Sequence, residues 1–288
     1  MTIYRYLRTA GLGRERFLDI QSKAEEALGA FVYEVTPLNR RREISYRLTT
    51  SEGVLKLFFC ESHSSAPIVH MLLNTLSHAG FCPAPLAFSD NFVIVPWVDG
   101  ISLKTIGKHD ARWRLLSMLE IIHSHPIPRL ITHHDNKAPY LARLVNRTLC
   151  VRNPLMQERL ERVRLLLAAP PVVGEQPGLL HTDLTVQNVV LTTTDTSLAI
   201  DNEAVTVGLG RAFDVWHAAE SIYSLKNTKE MYEFVREYER RVPGSSVLSS
   251  SEYWLGVCWV KKALKAYASY RFVKASRALD RGLHLLTR

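Results

Sequence analysis

Short segments of alternating or continuous apolar residues mark the first third of the chain and are typical of β-strands. They span Phe31–Thr36, Ile44–Leu48 and Val54–Phe59. Pro37 and the run Ser51–Gly53 separate them and are predicted turns. A further apolar run, within residues 91–98, predicts a buried strand. This part of the chain is therefore expected to form a small antiparallel sheet.

Helical spacing dominates later in the sequence. Apolar residues follow helical intervals over Leu115–His123. Near the end of the chain, apolar residues three and four apart predict a helical face: Tyr253, Val257, Val260, Leu264 and Tyr267. The polar face of these C-terminal helices is basic, with Lys261, Lys262, Lys265, Arg271, Lys274, Arg277 and Arg281. Such a face is usually solvated, and contact with a membrane surface or a polyanion is the alternative.

A polar segment between two short apolar strands carries the candidate chemistry. The strand Gly178–Leu180 leads into the run His181–Asn188, whose sequence is His-Thr-Asp-Leu-Thr-Val-Gln-Asn. The strand Val189–Leu191 leads out of it, and after a polar turn Leu198–Ile200 returns to end at Asp201.

Phosphoryl transfer needs the residue types found here. A carboxylate must accept the proton of the attacking hydroxyl, and oxygen ligands must hold the Mg²⁺ ions that neutralise the phosphates. Asp183 is the candidate base, and Asn188 and Asp201 are the candidate Mg²⁺ ligands. Because these two lie at the ends of one hairpin, they are expected to converge on one ion. The alternative is that Asp183 and Asn188 only hydrogen-bond their own turn.

Together these motifs resemble those of the aminoglycoside phosphotransferase and choline kinase family, whose fold is that of protein kinases. The family motifs are similar to His-Gly-Asp-x-x-x-x-Asn and Ile-Asp-Trp-Glu, which correspond to His181–Asn188 and Ile200–Glu203. Thr182 and Asn202 replace the family's glycine and aromatic residue. The resemblance implies Asp214, in Gly-Arg-Ala-Phe-Asp-Val, as a brace for the catalytic loop. It also implies that His123 is a packed or capping histidine.

Lys56 is a single cation inside an apolar strand, which is costly unless an anion meets it or the strand lies at a solvated sheet edge. The resemblance implies the lysine that contacts nucleotide phosphates. In the family this lysine pairs with a glutamate on the next helix, expected here over Ser65–His78. Because no Asp or Glu lies between Ser62 and Ser89, either Lys56 has another partner or the pair assembles only when nucleotide binds.

The family's nucleotide loop corresponds to a segment without glycine, in which Arg40, Arg41 and Arg42 are consecutive. These arginines either bind phosphate oxygens through their side chains or form a solvated basic turn.

The hinge that contacts the purine of ATP is implied at residues 96–98. Pro96 has no N–H, so Trp97 or Val98 is the expected donor.

Composition agrees with this architecture. With 288 residues, 47% of them hydrophobic, the chain can form two lobes. We predict an α+β protein-kinase-like fold with a small antiparallel-sheet N-lobe (residues 1–96) and a larger, mainly helical C-lobe (residues 97–288). The four cysteines lack metal-ligand spacing, and neither a secretion signal nor a membrane span is expected, which favours the cytoplasm.

The predicted function is ATP- and Mg²⁺-dependent transfer of a phosphoryl group to the hydroxyl of a small molecule. The net charge is +8 and the C-terminal helices are poor in acids, so a neutral or anionic acceptor is favoured over a polycationic aminoglycoside. A sugar, amino alcohol or vitamin would fit, and no nucleic acid is expected. The alternatives are a kinase of a lipid-linked, glycan or macromolecular acceptor, and an inert kinase-fold binding module. The oligomeric state does not follow from the sequence.

Overall fold

The computed structural model describes residues 14–38, 45–60, 65–131, 138–171 and 177–288. Arg40, Arg41 and Arg42, the predicted phosphate contacts, lie outside the described residues. The described chain is a mixed α and β structure, as predicted. None of its described helices is long and apolar enough to cross a bilayer.

The helices are α1 (Arg14–Leu28), α2 (Ala66–His78), α3 (Lys108–Ser124), α4 (Pro139–Leu149), α5 (Pro154–Ala168), α6 (Arg211–Tyr223), α7 (Thr228–Arg241), α8 (Ser251–Ala268) and α9 (Phe272–Leu286), with a short 3-10 helix at Leu103–Thr105. The strands are β1 (Val32–Pro37), β2 (Ser45–Thr50), β3 (Gly53–Phe59), β4 (Ala87–Phe88), β5 (Phe92–Pro96), β6 (Ile101–Ser102), β7 (Gly178–Leu180), β8 (Val189–Leu191), β9 (Ser197–Ala199) and β10 (Thr206–Gly208). The chain divides into two compact units. The first unit comprises the described parts of Met1–Ile101 together with Val189–Val205, and the second comprises Ser102–Asn188 and Thr206–Arg288.

The first unit is built on an antiparallel sheet with the strand order β1-β2-β3-β5-β4. One face of the sheet packs on α1, where Ile20 and Ala24 meet Tyr46, Leu48 and Leu57 in a shared core. Strand β3 is central, so Lys56 does not lie on an edge strand and is only 7% exposed. The solvated-edge explanation of this lysine is therefore wrong.

A β8–β9 hairpin completes the first unit and presents Asp201 directly after its second strand. Val189 pairs with Ala199, as expected from the two apolar runs. The Ala199 N–H donates to the Phe81 carbonyl (2.9 Å), which fixes the hairpin to the segment after α2. Gly100 lies so close to it that an added Cβ would be 2.3 Å from the Leu191 carbonyl oxygen.

The second unit is mainly helical, and its last two helices form a tightly packed hairpin. An added Cβ at Gly256 of α8 would lie 3.0 Å from the Gly282 carbonyl oxygen of α9, so only small residues allow this approach. Trp254 on α8 and Trp216 on α6 are fully buried and anchor the core of this unit. A two-stranded β7–β10 ladder leads into the segment that carries Asp183.

Candidate active site

The segment that carries Asp183 is held through the backbone by Asp214 of α6. One carboxylate oxygen of Asp214 accepts the His181 N–H (2.8 Å) and the other accepts the Thr182 N–H (2.7 Å). The carboxylate is buried, so these charge-assisted bonds are strong. The predicted bracing role of Asp214 is confirmed.

Thr182 occupies the position of the family's glycine and keeps the backbone angle that glycine favours. Its φ is 62°, in the left-handed region that β-branched residues adopt at a cost of about 1–2 kcal/mol. The Asp214 bond to its N–H stabilises this conformation, and Arg143 donates to its Oγ1. The segment therefore accommodates threonine in the left-handed conformation.

The carboxylate of Asp183 is contacted at both oxygens. Its Oδ1 lies 3.0 Å from His217 Nε2 and 3.5 Å from Lys261 Nζ, and its Oδ2 accepts from Asn188 Nδ2 at 3.0 Å. The side chain is still 48% exposed. Asp183 is therefore oriented by three neighbours while part of it faces solvent.

Asn188 also donates from Nδ2 to the backbone oxygen of Asp183 (2.9 Å). The hypothesis that Asp183 and Asn188 bond their own turn is therefore true in part. Because the amide nitrogen points at Asp183, the amide oxygen is left as the group that can meet a cation.

Two cationic or titratable side chains from α6 and α8 surround Asp183. His217 is 7% exposed, its Nδ1 lies 3.5 Å from Glu220 Oε2, and it contacts Lys261. Burial alone would raise the pKa of Asp183, but the hydrogen bond and charge of His217 and the charge of Lys261 outweigh it. The pKa of Asp183 is held well below its ordinary value, so the carboxylate stays ionised.

His217 is not predicted from the sequence, and Lys261 is predicted to lie on the basic face, which is usually solvated. The side chain of Lys261 is only 19% exposed, so that assignment was wrong for this residue. A signal was present, since Lys261 follows Val257 by four residues and precedes Leu264 by three, which places it near the apolar stripe. His217 likewise follows Asp214 by one helical turn.

An aromatic stack supports this cluster. The ring of Tyr140 lies 3.5 Å from that of Phe213 at an interplanar angle of 14°, and Phe213 stacks on His217 at 5.3 Å. Lys261 Nζ lies about equally far from the two rings, at 6.0 Å from Tyr140 and 5.9 Å from Phe213. Phe213 thus packs against the imidazole of His217, whose Nε2 meets Asp183.

In the first unit, Lys56 binds the residues that follow β9. Its Nζ lies 2.5 Å from Asp201 Oδ1, 2.8 Å from the Ile200 carbonyl oxygen and 3.6 Å from Glu203 Oε2. These carboxylates are the partners that the sequence could not locate on α2. Glu203 ends the Ile-Asp-Asn-Glu run, but the sequence did not predict its contact with Lys56.

The carboxylates of Asp201 and Glu203 share the single ammonium group of Lys56. Burial raises the pKa of Glu203 to about 7, with Asp201 adding to the rise and Lys56 opposing it. Among the described side chains, Glu203 Oε2 has no hydrogen-bond donor. A divalent cation would relieve this repulsion, so these residues fit Mg²⁺.

No group of three or more His, Cys, Asp or Glu side chains in the described ranges is arranged to hold a metal ion. Mg²⁺ commonly binds through one or two carboxylates together with substrate phosphates and water, so a dedicated cage is not required.

The predicted hinge lies at the end of β5. The Trp97 N–H donates to the Val54 carbonyl oxygen (3.1 Å), and the Trp97 indole donates to Asp99. Arg47 lies 5.6 Å above the indole ring. Since the Trp97 backbone donor is engaged within the sheet, Val98 is the remaining candidate for the predicted purine contact.

His123 is structural, as expected. It is buried, with Nδ1 at 2.7 Å from the Tyr238 hydroxyl and Nε2 at 3.4 Å from Asp214 Oδ2. It therefore packs behind the Asp214 brace.

Comparison with known proteins agrees with this geometry. The model of the phosphotransferase enzyme family matches residues 34–246. No curated protein sequence matches the chain. Solved structures do: LicA in complex with AMP is 14% identical, with a TM-score of 0.65 over 94% of this chain and 100% of its own.

Two further structures show the same fold. Choline kinase LicA from Streptococcus pneumoniae is 16% identical, with a TM-score of 0.60 over 91% of this chain and 98% of its own. A thermostable mutant of aminoglycoside phosphotransferase APH(4)-Ia, solved with AMP-PNP and hygromycin B, is 15% identical, with a TM-score of 0.57 over 93% of this chain and 98% of its own. By its family match and its protein-kinase-like fold, the chain belongs to the phosphotransferase enzyme family and is a kinase.

Proposed function

We propose that the chain transfers the γ-phosphate of ATP to a hydroxyl of a small neutral or anionic molecule, with Asp183 as the general base. The observation that carries this proposal is the state of Asp183. Its carboxylate is oriented by Asn188, His217 and Lys261, is kept ionised, and is still half exposed. A base in this condition can accept the hydroxyl proton, a contribution of roughly 10²–10⁴ in rate.

Asn188 and Asp201 are the proposed ligands of Mg²⁺, which when bound would neutralise charge on the phosphates. Two observations support this assignment: no described residue donates to the amide oxygen of Asn188, and the carboxylates of Asp201 and Glu203 are crowded. Lys56 would exchange part of its ion pairing for phosphate oxygens.

ATP is the proposed donor, with the Val98 N–H as the contact to the purine. LicA is solved with AMP and APH(4)-Ia with AMP-PNP, which supports an adenine nucleotide for a chain of the same fold.

The charges around Asp183 favour a neutral or anionic acceptor. Lys261 and Arg143 are cations in the same unit as Asp183, and Arg143 bonds to Thr182 beside the base. Among the described residues, the acid that joins this cluster beside Asp183 is Glu220, which His217 already engages. A polycationic acceptor would meet like charge here, whereas a neutral or anionic hydroxyl compound would not.

A second candidate is a kinase of a lipid-linked or glycan acceptor. The basic surface of α8 and α9 favours it, because such a surface would suit an acceptor presented at an anionic membrane.

The test is an ADP-release assay with Mg·ATP and panels of sugars, amino alcohols, vitamins, aminoglycosides and lipid-linked glycans. Asp183→Asn should bind nucleotide normally and lose roughly two or more orders of magnitude in turnover. Asp90→Asn, on an exposed turn between β4 and β5, is the matched control. Full turnover by the Asp183 variant would exclude the base role. Nucleotide binding without turnover on any panel would favour the inert module.

A further inference from the structure

The turn between α8 and α9 is an unusually exposed part of the second unit. Seven consecutive residues, 268–274, are all exposed. Three of them are large and apolar or aromatic: Tyr270 is 84% exposed, Val273 69% and Phe272 46%. Isolated exposed apolar residues are common, but a contiguous group at one turn indicates a binding surface.

The aromatic residues at this turn already contact one another. Phe272 lies 5.4 Å from the ring of Tyr267 and 6.3 Å from that of Tyr270, both edge to face. Tyr270 holds the turn with φ at 57°. The cluster is therefore organised before any partner binds, which reduces the entropy lost on binding.

The surroundings of this cluster are strongly basic. From Tyr253 to Leu279 the sequence contains six Lys and Arg residues and no Asp or Glu. Four of these cations are exposed next to the turn: Lys265, Arg271, Lys274 and Arg277. Burial and the charges of Lys274 and Lys226 lower the pKa of Lys262, although Glu220 opposes them, so positive charges crowd here.

Cations around exposed aromatic and aliphatic side chains are the arrangement found at the lipid–water interface. A purely solvated basic face would not need Phe272 and Val273 on its surface. A polyanion such as RNA could use the cations and stack on the rings, but it offers nothing to Val273.

We propose that this turn, called the basic tip and comprising residues 265–277, docks on the surface of an anionic lipid bilayer. Tyr270, Phe272 and Val273 enter the headgroup region while Lys265, Arg271, Lys274 and Arg277 contact anionic headgroups. Binding is peripheral and reversible. It does not depend on nucleotide, so it stands or falls separately from the proposed kinase activity.

Vesicle flotation without nucleotide tests the proposal. The full chain should float with vesicles of phosphatidylcholine and about half phosphatidylglycerol, should float far less with phosphatidylcholine alone, and should dissociate at high salt. Each basic residue near such a surface contributes about 1 kcal/mol, which converts to about fivefold in partitioning. The variant Arg271→Glu with Lys274→Glu should therefore lose at least about 25-fold.

A second variant separates insertion from charge. Phe272→Ser with Val273→Ser keeps every cation and should also weaken binding to the anionic vesicles. Lys104→Glu with Lys108→Glu, two exposed lysines outside the basic tip, is the charge control and should weaken binding less. Should the Phe272 and Val273 double variant unfold, the single variant Tyr270→Asn tests insertion in its place and should also weaken binding. Asn tolerates the left-handed turn.

Three outcomes would overturn the proposal. The first is equal binding to neutral and anionic vesicles, or none to either. The second is an equal loss in the basic-tip and control charge variants. The third is preferential binding of the basic tip to RNA over anionic vesicles at the same salt concentration, which would assign the surface to nucleic acid.

Discussion

His217 places its Nε2 at 3.0 Å from Oδ1 of Asp183, one helical turn after the residue that holds the same loop by its backbone. Helix α6 thus fixes the segment at two points: Asp214 sets the path of the main chain and His217 sets the direction of the carboxylate. The Asp183 carboxylate is therefore positioned by a rigid helix, which would favour precise orientation of the proposed base.

Lys261→Met should move the acidic limb of the pH profile of turnover. A base must be ionised, and Lys261 helps hold the pKa of Asp183 below its ordinary value. Without that charge the pKa rises, so activity is lost at a higher pH than in the wild type. An NMR titration of the Asp183 carboxyl carbon checks this independently of any acceptor. Lys265→Met, on the exposed side of α8, is the control, and an unchanged titration of Asp183 would contradict the prediction.

His217→Gln should lower kcat by about tenfold or more while leaving the KM for ATP nearly unchanged. Its contact is with the base, so its loss misdirects Asp183 without removing a nucleotide ligand. Steady-state kinetics with the best acceptor from the panel provide the measurement. A rise in the KM for ATP with constant kcat would instead place His217 in nucleotide binding.

Lys56→Ala should weaken ATP binding far more than adenosine binding, because we propose that Lys56 meets the phosphates. Calorimetric titration with both ligands in the presence of Mg²⁺ measures this difference. Lys23→Ala removes an exposed helical ion pair with Asp19 and should affect neither ligand. Parallel losses for ATP and adenosine would indicate a purely structural lysine.

Asp201→Ala should raise the Mg²⁺ concentration needed for nucleotide binding more than Asn188→Ala does. A carboxylate holds a hard cation more strongly than an amide oxygen. Nucleotide affinity measured across a Mg²⁺ series distinguishes the two variants. An unaltered Mg²⁺ requirement in Asp201→Ala would mean that the metal site lies elsewhere.

Asp214→Ala should lower the free energy of unfolding by on the order of 3 kcal/mol, because it leaves the buried N–H groups of His181 and Thr182 without their acceptor. Urea unfolding followed by circular dichroism gives the value. Asp110→Ala in the first turn of α3 is exposed and should cost only a few tenths of a kcal/mol. Similar losses in both variants would show that the brace is not needed for stability.

The elements with clear apolar periodicity or motif spacing were predicted from the sequence. Strands β1, β2, β3 and β5 lie within one or two residues of the apolar segments, and the β8–β9 hairpin has the expected pairing. Helix α1 was not predicted, because its segment is strongly polar. Its few apolar residues pack against the sheet.

Partners that depend on side-chain direction could not be predicted in this way. In the family, the lysine at this position pairs with a glutamate on the next helix. Lys56 instead pairs with Asp201 and Glu203, which follow it by 145 and 147 positions in the sequence. The contact of His217 and Lys261 with Asp183 also joins separate elements. Spacing within one element carries no information about which distant element it meets.

Thr182 departs from the family's sequence motif at a position that carries no predicted chemical role. Threonine here adopts a φ of 62°, in the left-handed region that glycine favours, and a carboxylate from α6 accepts its N–H. Loss of that glycine is therefore poor grounds for classing a chain as a dead enzyme. A more informative marker is the pair formed by Asp183, the proposed base, and Asp214, whose carboxylate holds the loop with threonine at the glycine position.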